Sequence, residues 1–198
     1  METHCRHTSL NIFLSCPMIK PFLNVDPTYD DTNYIAETAV LIGDVTLGRD
    51  ASIWPHCTLR GDVNWIRVGS ETNVQDRTVV HVTHGTAPAD IGARVTIGHG
   101  AIVHGCTVED EVLVGMGATI LDHAVIGRHS IVGAQALVTK GTRVPPRSLV
   151  LGQPAEVVRT VTDEEVAGIR EGADNYLRYG DVHAGTETPA ENPWYDPV

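Results

Sequence analysis

An aliphatic residue returns at every sixth position along most of this 198-residue chain, and few folds accommodate that period. The series runs Ile35, Leu41, Leu47, Ile53 and Leu59, then resumes after a short insertion around Trp65 at Val68, Val74 and Val80. A longer insertion from His84 to Asp90 precedes Ile91, Ile97 and Val103; with one residue dropped, the series continues Val108, Val114, Ile120, Ile126, Val132, Val138, Val144 and Val150. Small residues sit four places after many of these, as at Ala39, Ala51, Cys57, Ala101 and Ala118, and glycine often follows directly, as in Leu47-Gly48 and Ile97-Gly98. Six matches neither the 3.6-residue period of an amphipathic helix nor the alternation of a hairpin sheet. It matches a parallel β-helix, in which short strands and tight corners stack one aliphatic column per face. The competing reading is a β-sandwich with coincidental spacing.

The hexads with their aliphatic-glycine steps resemble the left-handed β-helix of the hexapeptide-repeat family, with three hexads per triangular coil; the handedness is what that resemblance implies. The expected fold is therefore all-β, a left-handed parallel β-helix over residues 18–160. The repeat stops after Pro154, and Thr162-Asp163-Glu164-Glu165 reads as a capping box. Val166, Ile169, Ala173 and Leu177 then form an apolar stripe, so a C-terminal α-helix packed on the β-helix is expected over 161–180. Residues 181–198 read as a flexible tail. Met18-Ile19-Lys20-Pro21-Phe22 looks like a native start, so residues 1–17 are expected to be a disordered extension or mis-called start, with a targeting peptide as the alternative.

Charge and cysteine usage narrow the partners. With 25 acidic residues against 14 Lys and Arg, the formal net charge is −11, which argues against nucleic acid. No apolar run approaches the roughly 18 residues of a membrane span. Cys5, Cys16, Cys57 and Cys106 show no CxxC spacing, so free thiols in a reducing, cytoplasmic compartment are expected.

Three histidines carry the functional reading. Counting three hexads per coil from Leu59 places Leu59, Val80 and Val103 on one face, so Arg60, His81 and His104, each one residue later, stack outward. Strands about 4.7–4.9 Å apart let two such imidazoles share one metal at about 2.0–2.1 Å. His99 lies two places after Ile97 on the preceding face, one coil on from Asp76, and points away from that pair. Three prisms around a threefold axis could bring a neighbour's His99 against His81 and His104, because a heterologous contact that closes makes a ring. Three neutral imidazoles with one open position make a catalytic rather than a structural zinc site. The competing reading is that these, like the other seven histidines, are merely solvated or hydrogen-bonded.

Arg60-Gly61-Asp62, Asn73-Val74-Gln75-Asp76, Val80-His81-Val82-Thr83-His84 and His99-Gly100-Ala101-Ile102-Val103-His104-Gly105-Cys106 together resemble the signature of the γ-class carbonic anhydrase family, a similarity running from about Met18 to the C-terminal helix. The resemblance implies a homotrimer holding Zn2+ (or Fe2+ or Co2+) through His81 and His104 of one subunit and His99 of the next. It implies an intersubunit ion pair of Arg60 with Asp76, with Asp62 accompanying Arg60; Gln75 bonded to metal-bound solvent; Asn73 lining the CO2 pocket; and Tyr176 lining the site. The implied activity is reversible hydration of CO2 to bicarbonate by a metal-bound hydroxide, formed because the metal lowers its water's pKa to about 7. Two features depart from the family pattern. Val63 stands where a glutamate follows the Asp62 position, and the loop after His81 is His84-Gly85-Thr86-Ala87-Pro88-Ala89-Asp90, without the shuttle glutamate. His84 is the candidate to substitute as proton carrier, because imidazole is the side chain that exchanges protons near neutral pH. Alternatives are a metal-dependent thioester or small-molecule hydrolase, a hexapeptide acyltransferase, and a non-catalytic trimeric scaffold.

Overall fold

The structure, a computed structural model, describes residues 16–194; the expectation for residues 1–15 and the end of the tail at 195–198 lies outside the described residues. Every aliphatic residue of the hexad series from Leu41 onward is buried, and the strand registers sort them into three columns. The first face stacks Ile53, Val74, Ile97, Val114, Val132 and Val150. The second stacks Leu41, Leu59, Val80, Val103, Ile120 and Val138. The third stacks Leu47, Val68, Ile91, Val108, Ile126 and Val144. All of these pairings are parallel, and the result is a β-solenoid of about seven turns. Each buried Val, Leu or Ile contributes about 1.5–3 kcal/mol of transfer free energy, so the columns are the principal source of stability.

The insertion around Trp65 proves to be part of one long strand, Thr58–Val68. Its first half pairs with Val79–His81 on the second face and its second half with Ala89–Ile91 on the third. The last coil closes differently from the rest: Ser148–Gly152 pairs antiparallel with Ala155–Thr160, a hairpin that ends the parallel stack.

The glycines after inward aliphatics have a steric cause. A Cβ on Gly69 would lie 2.4 Å from the carbonyl carbon and oxygen of Gly92, in the next coil. Successive coils touch backbone to backbone at these steps, and no side chain fits between them.

The helix spans Asp163–Ala184, with the Thr162–Glu165 capping box formed as expected. Val166, Ile169 and Ala173 are buried against the first face, where the helix contacts Tyr34–Ile35, Ser52–Ile53 and Thr96–Ile97. Trp54 is buried edge-on between Tyr34, Tyr176 and His183. Ion pairs flank this seam: Arg94 meets Glu71 and Asp174, and Arg170 meets Glu111. Exposed pairs contribute about 0–1 kcal/mol each, so the apolar stripe decides the docking. The expected boundary at residues 180–181 is corrected. Gly180 is a buried helical residue facing Tyr34 and Ser52, and the left-handed cap is Gly185. Beyond it the chain returns, and Trp194 meets Tyr179 edge-on at 4.9 Å. The reading of four free thiols is corrected at Cys16, which is disulfide-bonded; Cys57 and Cys106 are free and buried.

Candidate metal centre

Arg60, His81 and His104 stand in adjacent register on the second face, because Leu59, Val80 and Val103 beside them point inward. Alternation along each short strand turns all three polar side chains outward. The His81 Nδ1 and His104 Nε2 atoms face each other at 3.0 Å. Each ring's second nitrogen meets a carboxylate: His81 Nε2 lies 3.3 Å from Asp62 Oδ1, and His104 Nδ1 lies 2.5 Å from Asp122 Oδ1. Arg60 pairs with the other oxygen of Asp62, and the Thr83 hydroxyl donates to the other oxygen of Asp122 at 2.8 Å.

The chemistry of this donor set suits a cation. Carboxylates only accept, so when both rings are neutral and each gives its N–H to its own aspartate, two lone pairs face each other at 3.0 Å. That pairing is repulsive by itself and is relieved by a positive ion between the rings. Two tetrahedral ligands at about 2.0–2.1 Å from one zinc ion lie about 3.3 Å apart, close to what is seen. Burial, followed by the charge of Arg60, lowers the pKa of His81 and favours the neutral ring that a metal requires. Burial raises the pKa of Asp62 and of Asp122, but hydrogen bonds from Arg60 and His81 and from His104 and Thr83 outweigh it, so both are lowered and the carboxylates are ionised acceptors.

His99 stands elsewhere. It ends the first face, at the corner before Gly100, and its Nδ1 donates to Asp76 Oδ2 at 2.9 Å one coil below. Both side chains are substantially exposed, at 48% and 40%. One corner and one strand separate His99 from His104. Among the described residues of one chain, no group of three or more His, Cys, Asp or Glu converges as a metal site.

The remaining expected residues divide the same way. Asn73 and Gln75 are buried on the outside of the first face, beneath the helix; Gln75 donates to Asn73, and Asn73 donates to Thr96. Tyr176 comes from the helix above them, and burial followed by the charge of Asp76 raises its pKa. Arg60 and Asp62 belong to the second face. The chain thus carries one group of Asn73, Gln75, Asp76, His99 and Tyr176 and another of Arg60, Asp62, His81, His104 and Asp122. Within the chain Arg60 pairs with Asp62 and Asp76 with His99. His84 is exposed in the tight turn closed by the Thr83–Ala87 bridge, immediately beyond Thr83. Apolar Val79 and Ile102 are exposed beside the histidine pair, and Met116 is 57% exposed one coil on from His99.

Asp122 and Thr83 were missed by spacing arguments. The available signal was the register: Ile120 stacks on Val103, which carries Asp122 one coil above Gly105, beside His104.

A hexad-built solenoid with an outward histidine pair defines the class: a hexapeptide-repeat protein. The family model for "Bacterial transferase hexapeptide (six repeats)" matches residues 105–140. The chain is 45% identical over 189 residues to "Gamma carbonic anhydrase 1, mitochondrial" of Arabidopsis thaliana, covering 92% of this chain but 65% of that protein's length. It is 51% identical over 148 residues to "Probable carbonic anhydrase" of Methanocaldococcus jannaschii, covering 75% of this chain and 92% of that one. A crystal structure of a hexapeptide transferase family protein from Anaplasma phagocytophilum superposes with a TM-score of 0.80 at 42% identity, covering 84% of this chain and 98% of that one. Within that class, the chain belongs to the γ-carbonic anhydrase family.

Proposed function

We propose that this chain is a metal-dependent carbonic anhydrase that hydrates CO2 to bicarbonate as a homotrimer, with one site at each subunit interface. The observation that carries the reading is the donor set: each of the three candidate ligands, His81, His99 and His104, offers one ring nitrogen to its own aspartate and keeps the other for a cation. Aspartates behind metal-binding histidines orient the ring and raise its basicity. Support for the trimer comes from the split of the site residues between two faces and from exposed Val79, Ile102 and Met116 beside both histidine groups.

His81 and His104 of one subunit and His99 of the next would hold a divalent ion, with zinc, ferrous iron and cobalt all compatible with imidazole donors. Such an ion supplies the acidity that makes water a nucleophile at neutral pH. The chain's own residues do the rest. Gln75 presents its amide to orient the reacting water, and Asn73 and Tyr176 line the approach from the same face. Arg60, released from Asp62 or shared with it, pairs with Asp76 of the neighbour. His84 carries the proton outward from an exposed turn, in place of a glutamate. Among the described residues, no helix is long and apolar enough to cross a membrane; the disulfide at Cys16 removes the free-thiol argument for a cytoplasmic setting, and the plant relatives are mitochondrial by name.

The test is stopped-flow CO2 hydration on anaerobically purified protein of measured metal content, with and without imidazole buffer. Hydration that rises with buffer supports the reading. Full metal occupancy without hydration, buffered or not, refutes it and favours thioester hydrolysis or a scaffold. The family model's name favours an acyltransferase as second reading, which acetyl-CoA turnover by the metal-free protein would reveal.

A further inference from the structure

Between Thr83 and His81 runs an unbroken chain of polar contacts that crosses two coils. Thr83 Oγ1 donates to Asp122 Oδ2 at 2.8 Å, His104 Nδ1 donates to Asp122 Oδ1 at 2.5 Å, and His104 Nε2 then faces His81 Nδ1 at 3.0 Å. Asp122 comes from the coil above, and it reaches the ring because Gly105, directly after His104, has no side chain. A Cβ on Gly105 would lie 2.6 Å from Asp122 Oδ1 and 2.8 Å from the Cβ of Ala87. Thr83 is itself held: its N–H donates to the Ala87 carbonyl at 2.9 Å, closing the turn that contains His84. The turn after the first histidine and the ring of the second are thus joined through one carboxylate.

We propose that Asp122 is a positioning residue for His104, tethered by Thr83 and accommodated by Gly105. It fixes the ring's tautomer and rotation so that Nε2 presents its lone pair to the same point as His81. An imidazole is otherwise free to turn about a broad torsion and to place its proton on either nitrogen. The carboxylate in turn would swing if it lost the Thr83 hydroxyl, since its second oxygen would be left to solvent. The inference rests on the metal reading above and adds to it a residue outside the histidine motifs.

The test measures the apparent affinity of the full-length protein for Co2+ by competition with a chelator, together with the unfolding midpoint. Asp122→Asn keeps the size of the side chain but places an amide where two donors converge. It should weaken metal binding 10- to 100-fold, the range for carboxylates behind histidine ligands. Thr83→Val should weaken it in the same direction by a smaller factor, and Thr83→Ser, which keeps the hydroxyl, should restore it. A purely structural role would lower the unfolding midpoint of both Thr83 variants without separating their metal affinities. Wild-type binding with Asp122→Asn within twofold of it overturns the proposal alone, as does Thr83→Ser binding no better than Thr83→Val. A wild-type protein that yields all its metal to a weak chelator overturns the metal reading and this proposal together.

Discussion

Alanine at Gly69 and at Gly168 adds the same methyl group to two opposite surroundings. At Gly69 the new Cβ would stand 2.4 Å from the carbonyl carbon and oxygen of Gly92 and 2.5 Å from the Ala93 nitrogen, where ordinary contact begins at 3.4 Å. All three atoms are backbone, so no side chain can swing away, and two coils must part by about 1 Å. That opening strains the bond from Gly69 N–H to the Ile91 carbonyl, now 2.7 Å, and loosens the buried Val68–Ile91 contact. Overpacking costs about 1–3 kcal/mol and a weakened ladder bond about 1 more, so roughly 2–4 kcal/mol of stability should be lost. Gly168 is exposed inside the helix with nothing within 4 Å of its added Cβ. There alanine should stabilise by about 0.5–1 kcal/mol, because glycine loses more backbone entropy on entering a helix. Urea unfolding followed by circular dichroism, at one protein and metal concentration throughout, measures both. The reasoning fails if Gly69→Ala unfolds within 0.5 kcal/mol of wild type, or if Gly168→Ala is the more damaging change.

Two further predictions concern ionisation. Burial pushes the thiols of Cys57 and Cys106 up to about 12, so at pH 8 neither should react with iodoacetamide in the native protein, and both should react in urea; alkylation of either without unfolding would contradict the packing. Hydrogen bonds from Arg159 and from the Thr162 backbone lower the Glu165 carboxyl from 4.5 to about 2. The stability this carboxylate contributes is therefore present above about pH 4.5 and lost as pH falls toward 2. The difference in unfolding midpoint between wild type and Glu165→Gln should shrink over that window, and a difference independent of pH would count against the capping role.

Much of the fold was legible because a solenoid is nearly one-dimensional. Once a coil is three hexads, counting residues gives spatial neighbours, and the register of Leu59, Val80 and Val103 with the outward row Arg60, His81 and His104 follows. The stacking of His99 on Asp76 follows by the same count. Counting fails where contacts depend on side-chain reach. Asp122 approaches His104 from a corner of the next coil, and only the void at Gly105 admits it. Glycine itself was ambiguous: Gly180 resembles a helix stop in sequence, yet it lies within the helix, buried against Tyr34, while Gly185 provides the left-handed cap. The closing hairpin's second strand, Ala155–Thr160, lies beyond the last hexad residue, Val150, and so left no periodic trace.

The central claim is a site shared between subunits, and complementation tests it most directly. His99→Ala and His81→Ala proteins should each bind no metal at the site, although every chain keeps two of the three ligands. Mixed one to one and reassorted, as confirmed by mass spectrometry of the hybrid trimers, they should recover about a quarter of the wild-type metal, because about one interface in four then joins an intact His81–His104 face to an intact His99. Reassorted trimers without metal, or a His99→Ala protein that retains its full complement, would contradict the account.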